Sequence, residues 1–249
     1  MNPLETYLTR IREIRSAAGG TVETSYYGAL ENLLNEHGKK LRPKVMCLIQ
    51  MQNQGVGMPD GGLFTRDQYK KGGTDTKPLR GQVPARGVLE VKSLAGRIEA
   101  TAESEQVRGY LAKYGQVLVT NLRQFLLLGR ANGEPVLLEA PYSLADSEAE
   151  FWELATHPRR AAERHDAELG EFLTRTMLHA APLAAPEDVA WFLASYARDA
   201  KSRIERTNLP ALASIRAALE QALGMKFEGE KGEHFFRSTL VQTLLILAF

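Results

Sequence analysis

The chain has 249 residues and a formal net charge of +1, so its overall charge identifies no partner and any nucleic-acid site must come from local clustering. Its 44% hydrophobic and 24% charged residues are ordinary for a globular protein. The single cysteine, Cys47, excludes an internal disulfide and is compatible with a reducing compartment, and we interpret it as a buried packing residue.

Two helices are predicted at the start of the chain. The first covers residues 1–18, where apolar residues recur at helical spacing, and two glycines end it. The second covers residues 24–38, where Thr24 or Ser25 can cap the first turn and Gly38 can end the last.

The pattern then changes to that of strands. Residues 43–52 are compact and apolar, which predicts a strand, and a glycine-rich bend leads to a short strand at Leu63–Phe64. Residues 66–86 are polar and predict a loop. Residues 87–93 alternate between two faces, which predicts another strand.

A helix is predicted from Thr101 to Gly115, followed by strands over residues 116–121 and 124–130. Asn132-Gly133 is a strong hairpin signal, so a further strand should follow it. These elements predict an α/β fold for the first part of the chain.

From residue 147 the chain is mostly helical, with proline-marked breaks, so we place a domain boundary near residue 146. We assign residues 1–146 to an α/β domain, 147–230 to a helical coupler or linker, and 231–249 to the start of a truncated helix. Residues 224–234 predict a linker. The most apolar run, residues 240–249, is far shorter than the roughly 20 residues that span a bilayer, so we expect no membrane partner. The run ends abruptly, and we therefore expect the chain to be a fragment.

Three side chains could carry chemistry. Asp60 lies just before the short strand, and Glu90 and Lys92 lie two apart on the next strand, so they face the same way. Mg²⁺ prefers oxygen ligands, which Asp60, Glu90 and the backbone carbonyl of Val91 can supply. Lys92 could orient an attacking water or help to deprotonate it. By themselves, Glu-X-Lys is usually a surface charge pair and Pro-Asp-Gly is common turn chemistry.

The motif Pro59-Asp60 followed by Glu90-Val91-Lys92 resembles the PD-(D/E)XK nuclease superfamily. The predicted order of helix, three strands, helix and strand is also that of the superfamily's restriction-endonuclease-like core, a mixed sheet flanked by helices. The resemblance implies that Glu31, on the helix before the first strand, helps to hold metal. It also implies that Gln106 lies near the catalytic lysine, as in Mrr-like members. Glu31 could instead contact Asn35 on a solvated face.

A narrower resemblance is to the N-terminal nuclease domain of Type ISP restriction–modification enzymes. It rests on "YYGALENLLNEHGKKLRPKV", "GMPDGGLFT", "RGVLEVKS", "AESEQVRGYLAKYGQVLVTN" and "EHFFRSTLVQTLLILAF". It implies a cytoplasmic bacterial antiviral-defence protein fused to an adenine methyltransferase and possibly to an ATP-dependent translocase. The motifs of those two activities do not occur in this sequence, so we expect the chain neither to methylate nor to hydrolyse ATP.

The predicted loop over residues 66–86 is rich in basic residues and joins the two candidate strands. We expect it to contact DNA phosphates, which position DNA without reading its sequence. The candidate DNA-binding residues are Lys70, Lys71, Lys77, Arg80 and Arg86.

The leading hypothesis is therefore a magnesium-dependent endonuclease acting on double-stranded DNA, with Asp60, Glu90, Lys92 and Gln106 as its catalytic residues and with Mn²⁺ able to replace Mg²⁺. The alternative is a catalytically silent nuclease-like module that binds DNA or a partner beside a methyltransferase.

Overall fold

The computed structural model describes residues 2–18, 23–51, 57–70, 79, 82–179, 190, 193–194, 196–198, 200–201 and 212–248. The chain divides into two compact units, Met1–Ala181 and Pro182–Phe249.

The described part of the first unit contains a seven-stranded mixed sheet. In chain order the strands are β1 (Val45–Ile49), β2 (Gly61–Thr65), β3 (Val88–Val91), β4 (Val117–Thr120), β5 (Gln124–Ala131), β6 (Glu134–Leu137) and β7 (Tyr142–Ser143). Their spatial order is β1-β2-β3-β4-β5-β6, and β7 also pairs with β5. Among these strands, β3 and β4 pair in parallel and the other pairs are antiparallel.

Helices cover both faces of the sheet. They are α1 (Pro3–Ala18), α2 (Tyr27–Gly38), α3 (Arg66–Lys70), α4 (Ile98–Ala102), α5 (Glu105–Tyr114), α6 (Glu148–Thr156) and α7 (Pro158–Leu178), with a 3-10 turn at Glu23–Tyr26. A parallel strand pair requires a crossover, which α4 and α5 provide between β3 and β4. The order from α2 to β4 is the predicted one, and the mixed sheet flanked by helices is confirmed.

Strand alternation assigns side chains to the two faces. Val88, Val117 and Val119 pack with α4 and α5 in one apolar cluster. On the opposite face, Phe125 of β5 contacts Phe172 of α7, with ring centroids 6.4 Å apart. Because Glu90 lies two residues after Val88 in β3, it belongs to the face that α5 covers.

The domain boundary predicted near residue 146 falls inside the first compact unit, which continues to Ala181. The physical reason is that α6 and α7 pack on the rest of that unit. Phe151 and Phe172 are fully buried, and Arg12 of α1 donates to the carbonyl of Thr156 at 3.1 Å. The prediction that residues 147–230 act as a coupler stays a prediction.

Several element boundaries differ from the predicted ones, and three of the differences have a local cause. The helix predicted from Thr101 is two helices, because Ser104 is extended and its hydroxyl caps α5 by accepting from Val107 N–H. The 3-10 turn precedes α2, so its first turn has no side-chain cap from Thr24 or Ser25. Residues 66–70, predicted as loop, form α3. The predicted end of α5 at Gly115 is confirmed, with φ of 76°.

The second unit contains α8 (Leu212–Leu223) and α9 (Gly229–Ala248). These two helices confirm a helical C-terminal part, and its apolar cluster includes Phe227 and Phe236. Since α9 begins at Gly229, much of the predicted linker over residues 224–234 is helix. Among the described helices, none is both long enough and apolar enough to cross a membrane.

Candidate active site

The ends of β2 and β3 bring the two predicted carboxylates together. The strands are antiparallel, with Gly61 opposite Leu89, so one further residue along each strand places Asp60 opposite Glu90. Lys92 follows β3 directly, and its N–H donates to the carbonyl of Thr120 at 2.8 Å, which continues the pairing with β4. The sheet thus fixes the backbone of all three predicted site residues.

Both carboxylate oxygens of Asp60 accept hydrogen bonds. The Tyr27 hydroxyl donates to Oδ1 and the Val91 N–H donates to Oδ2, each at 2.8 Å. The backbone carbonyl of Asp60 accepts from Gln50 N–H at 2.6 Å. Val91 therefore enters the site through its N–H, and the metal role predicted for its carbonyl stays a prediction.

Two glycines allow the chain to reach this position. Gly57 has φ of 96°, a conformation that residues with a side chain rarely adopt. At Gly62 a Cβ would lie 2.4 Å from the sulfur of Met51 and 2.7 Å from Pro84. Glycine therefore both bends the chain before Asp60 and lets β2 pack closely after it.

Glu90 is buried, with 2% of its side chain exposed, whereas the neighbouring Lys92 is partly exposed to solvent. The Lys92 ammonium donates to Glu90 Oε1 at 2.6 Å, and its own side chain is 36% exposed. The Gln106 amide makes a long contact of 3.4 Å with Glu90 Oε2 and donates to the hydroxyl of Tyr110 at 2.8 Å. Gln106 therefore lies beside Glu90, the partner of Lys92, and its catalytic role stays a prediction.

The pKa values of Glu90 and Lys92 are both raised, but for different reasons. Burial raises the pKa of Glu90, with a smaller contribution from the charge of Asp60, although the hydrogen bond from Lys92 opposes the shift. For Lys92, burial favours the neutral amine, but the hydrogen bond and charge of Glu90, together with the charges of Glu23 and Asp60, outweigh it and raise the pKa. The raised pKa favours the ammonium form of Lys92, which donates to Glu90.

Glu31 is not brought to these carboxylates by any contact among the described residues. Its Oε1 accepts from the N–H of Ile49 at 3.1 Å, while Asn35, one turn later, binds the N–H and the carbonyl of Cys47. β1 is an edge strand, and unpaired backbone groups on such an edge need partners. Glu31 and Asn35 of α2 supply these partners, so Glu31 has a structural role at the edge of β1.

Two residues of the site escaped the sequence analysis. Tyr27 is the first residue of α2, and its hydroxyl lies 2.8 Å from Asp60 Oδ1 and 3.1 Å from Oε1 of Glu23 in the 3-10 turn. Burial, together with the hydrogen bond and charge of Asp60, raises the pKa of Tyr27, so the phenol keeps its proton. The available signal was the spacing of four residues between Glu23 and Tyr27, which places them on one side of a helical turn.

Of the five predicted DNA-binding residues, the structure describes the side chain of Arg86 alone. Lys71, Lys77 and Arg80 lie outside the described residues, as does the side chain of Lys70. Arg86 is 5% exposed and burial lowers its pKa, so the structure places its side chain inside the fold rather than on a surface facing DNA.

The donor set of the site fits a magnesium ion that keeps much of its water. Among the described residues, no group of three or more His, Cys, Asp or Glu side chains could hold a metal ion. Mg²⁺ commonly binds through one or two carboxylates with waters and substrate phosphates rather than in an all-protein cage. Asp60 and Glu90 supply two, and the charge of Asp60 already raises the pKa of Glu90, a repulsion that a cation between them would relieve.

No protein-family model matches this chain, and no curated protein matches its sequence. Among solved structures, a chain of the one described as "cryoEM structure DrdV-DNA complex" is similar, with a TM-score of 0.40 and 16% sequence identity. The similarity covers 61% of this chain and 94% of that chain. A similarity of this size assigns no function to the chain.

Proposed function

We propose that this chain is a magnesium-dependent endonuclease domain that hydrolyses phosphodiester bonds of double-stranded DNA. The observation that carries the proposal is the convergence of Asp60, Glu90 and Lys92 at the adjoining ends of β2 and β3. Each of the two carboxylates has its own hydrogen-bonding partners, so the site is ordered before any ligand binds. Such preorganisation favours catalysis because less reorganisation is needed during reaction.

In this proposal Asp60 and Glu90 hold the cation. The chemistry that Mg²⁺ supplies when bound is polarisation of the phosphodiester and activation of a water. Lys92 is partly exposed beside Glu90, so its ammonium can donate to the attacking water or to a phosphate oxygen that gains negative charge. Gln106 limits the movement of Glu90 and is itself held by Tyr110.

The wider setting belongs to the proposal as well. We infer a bacterial restriction–modification or phage-defence polypeptide in the cytoplasm, in which this Mrr-like domain is joined to an adenine methyltransferase and possibly to a translocase. The basis is the resemblance of the sequence motifs around Asp60 and Glu90 to Type ISP enzymes.

One observation favours a second candidate, a catalytically silent nuclease-like module. The described residues offer two carboxylates with Lys92 already paired to one of them, and no larger group of metal ligands. In that case the charges would serve folding or DNA binding without hydrolysis.

Cleavage of supercoiled plasmid separates the two candidates. The assay uses this chain and, in parallel, the longest natural polypeptide that contains it, with Mg²⁺ present. Lys92→Ala should lower the cleavage rate by about 10²–10³, because one preorganised donor to the reacting groups is lost. The matched control is Lys39→Ala, which removes an exposed lysine paired with Glu36 on α2 and should leave the rate unchanged. Equal cleavage by Lys92→Ala and the wild type contradicts the catalytic assignment, and the absence of cleavage by every preparation supports the silent module.

A further inference from the structure

The hydroxyl of Tyr27 lies between two carboxylates. It is 2.8 Å from Asp60 Oδ1 and 3.1 Å from Glu23 Oε1, and the Tyr27 side chain is buried. A phenol has one proton to donate, so it can make one of these two hydrogen bonds at a time. The shorter distance indicates that Asp60 is the acceptor in this structure. The position of Glu23 then needs an explanation, because its carboxylate lies at hydrogen-bonding distance from the Tyr27 hydroxyl, whose proton is already donated to Asp60.

The two oxygens of Asp60 are not equally available to a cation. Oδ2 accepts from the backbone N–H of Val91, which lies in β3 and cannot turn away. Oδ1 accepts from a hydroxyl that rotates about a single bond. A cation that binds Asp60 therefore requires least rearrangement at Oδ1, and its charge there weakens the Tyr27 hydrogen bond to the same oxygen.

Displacing a buried donor is costly unless the donor finds another acceptor. Glu23 supplies that acceptor at 3.1 Å without any movement of the backbone. We propose that Tyr27 and Glu23 are positioning residues for cation binding, in which the Tyr27 hydroxyl turns from Asp60 to Glu23 when a divalent cation takes Asp60 Oδ1. No proton is transferred, because the O–H bond of Tyr27 rotates and stays intact. The inference rests on the proposed function, since it takes Asp60 as the cation ligand.

The competing explanation makes Glu23 a direct ligand of the cation. The two explanations differ in how Glu23 depends on Tyr27. If Glu23 acts through the hydroxyl, its effect disappears when the hydroxyl is removed. If it binds the cation itself, its effect persists. A double-mutant cycle measures this dependence.

The experiment measures Mn²⁺ dissociation constants by calorimetry for Glu23→Gln and Glu23→Leu. Both variants lack the charge and have similar size, but the Gln oxygen accepts a hydrogen bond and the Leu side chain does not. In the chain with Tyr27 we expect Glu23→Leu to bind Mn²⁺ about fivefold to tenfold more weakly than Glu23→Gln, the cost of one unsatisfied buried donor. In a Tyr27→Phe background the two should bind equally, within about twofold. The same ratio in both backgrounds, or no difference in the chain with Tyr27, overturns the proposal.

A spectroscopic measurement covers the case in which a Glu23 variant does not fold. Mn²⁺ binding should perturb the ultraviolet absorption of tyrosine, and Tyr27→Phe should abolish most of that difference spectrum. The matched control is Tyr114→Phe, because the buried hydroxyl of Tyr114 has no hydrogen-bond partner among the described residues. A difference spectrum of unchanged size in Tyr27→Phe overturns the proposal.

Asp60→Ala distinguishes the failure of this inference from that of the proposed function. Unchanged Mn²⁺ binding in Asp60→Ala refutes the metal site itself. Lost binding in Asp60→Ala together with equal binding by the two Glu23 variants refutes the hydroxyl rotation alone.

Discussion

Two ion pairs of the first unit, each with a buried carboxylate, differ in the solvent exposure of the basic partner. Arg175 of α7 and Glu139 lie 3.0 Å apart and are closed on both sides, with 2% and 4% of their side chains exposed. Lys92 and Glu90 lie 2.6 Å apart, but the lysine is 36% exposed and the charge of Asp60 also acts on the pair. A closed pair can only hold the fold together, whereas a pair that opens to solvent beside another carboxylate can exchange partners with a ligand. Burial of a charge thus indicates function when one side of the pair stays accessible.

The largest expected effect on stability comes from breaking the closed pair. Arg175→Leu leaves the carboxylate of Glu139 buried and without this partner, which should lower the free energy of unfolding by about 3–5 kcal/mol. Lys92→Met is the matched comparison and should cost less, about 1–2 kcal/mol. It also leaves a buried carboxylate without this partner, but the raised pKa of Glu90 lets that group take up a proton, and Lys92 itself is 36% exposed. Urea unfolding in the presence of EDTA measures both. Similar losses in the two variants would refute the distinction between a structural and a functional pair.

A smaller effect, of opposite sign, is expected at Glu90. Burial raises the pKa of Glu90, so the folded protein binds a proton there more tightly than the unfolded chain does. Stability at this site is therefore full below the ordinary pKa of a glutamate and is lost as the pH rises through the raised value. Glu90→Gln should stabilise the metal-free protein at neutral pH by roughly 0.5–2 kcal/mol.

The pH dependence sharpens that prediction. The advantage of Glu90→Gln over the wild type should shrink as the pH falls, because protonation makes Glu90 neutral as well. Thermal or urea unfolding at several pH values in EDTA measures the difference. Glu13→Gln, in an exposed pair with Arg10, serves as a control and should change stability by less than about 0.5 kcal/mol. A destabilised Glu90→Gln variant at neutral pH would mean that Glu90 contributes to folding as Glu139 does.

Local patterns predicted the parts of the site that depend on one strand. The alternation in β3 was enough to place Glu90 and Lys92 on one side, and the contact between them confirms it. The proximity of Asp60 depends on the register between β2 and β3, which a long intervening segment separates. Local patterns left that register open, and the resemblance to known motifs supported it.

Tertiary packing decides what sequence periodicity leaves open. Glu31 and Glu23 are both acidic and near α2, but packing of α2 along β1 turns Glu31 to the strand edge and leaves Glu23 beside Tyr27. Periodicity identifies a helix face but does not say which neighbour that face meets. Arg86 was expected to contact DNA phosphates as part of a basic loop. Its position two residues before β3 places its side chain inside the fold, and a contact with DNA stays a prediction.

The most direct test of the central claim is a Mn²⁺ titration of the purified chain. The wild type should bind Mn²⁺, and Asp60→Ala and Glu90→Ala should each weaken the dissociation constant by at least about 100-fold, because each removes a ligand. Glu31→Ala should leave it unchanged, since the structure assigns Glu31 to the edge of β1. Binding that is unchanged in Asp60→Ala and Glu90→Ala would contradict the account.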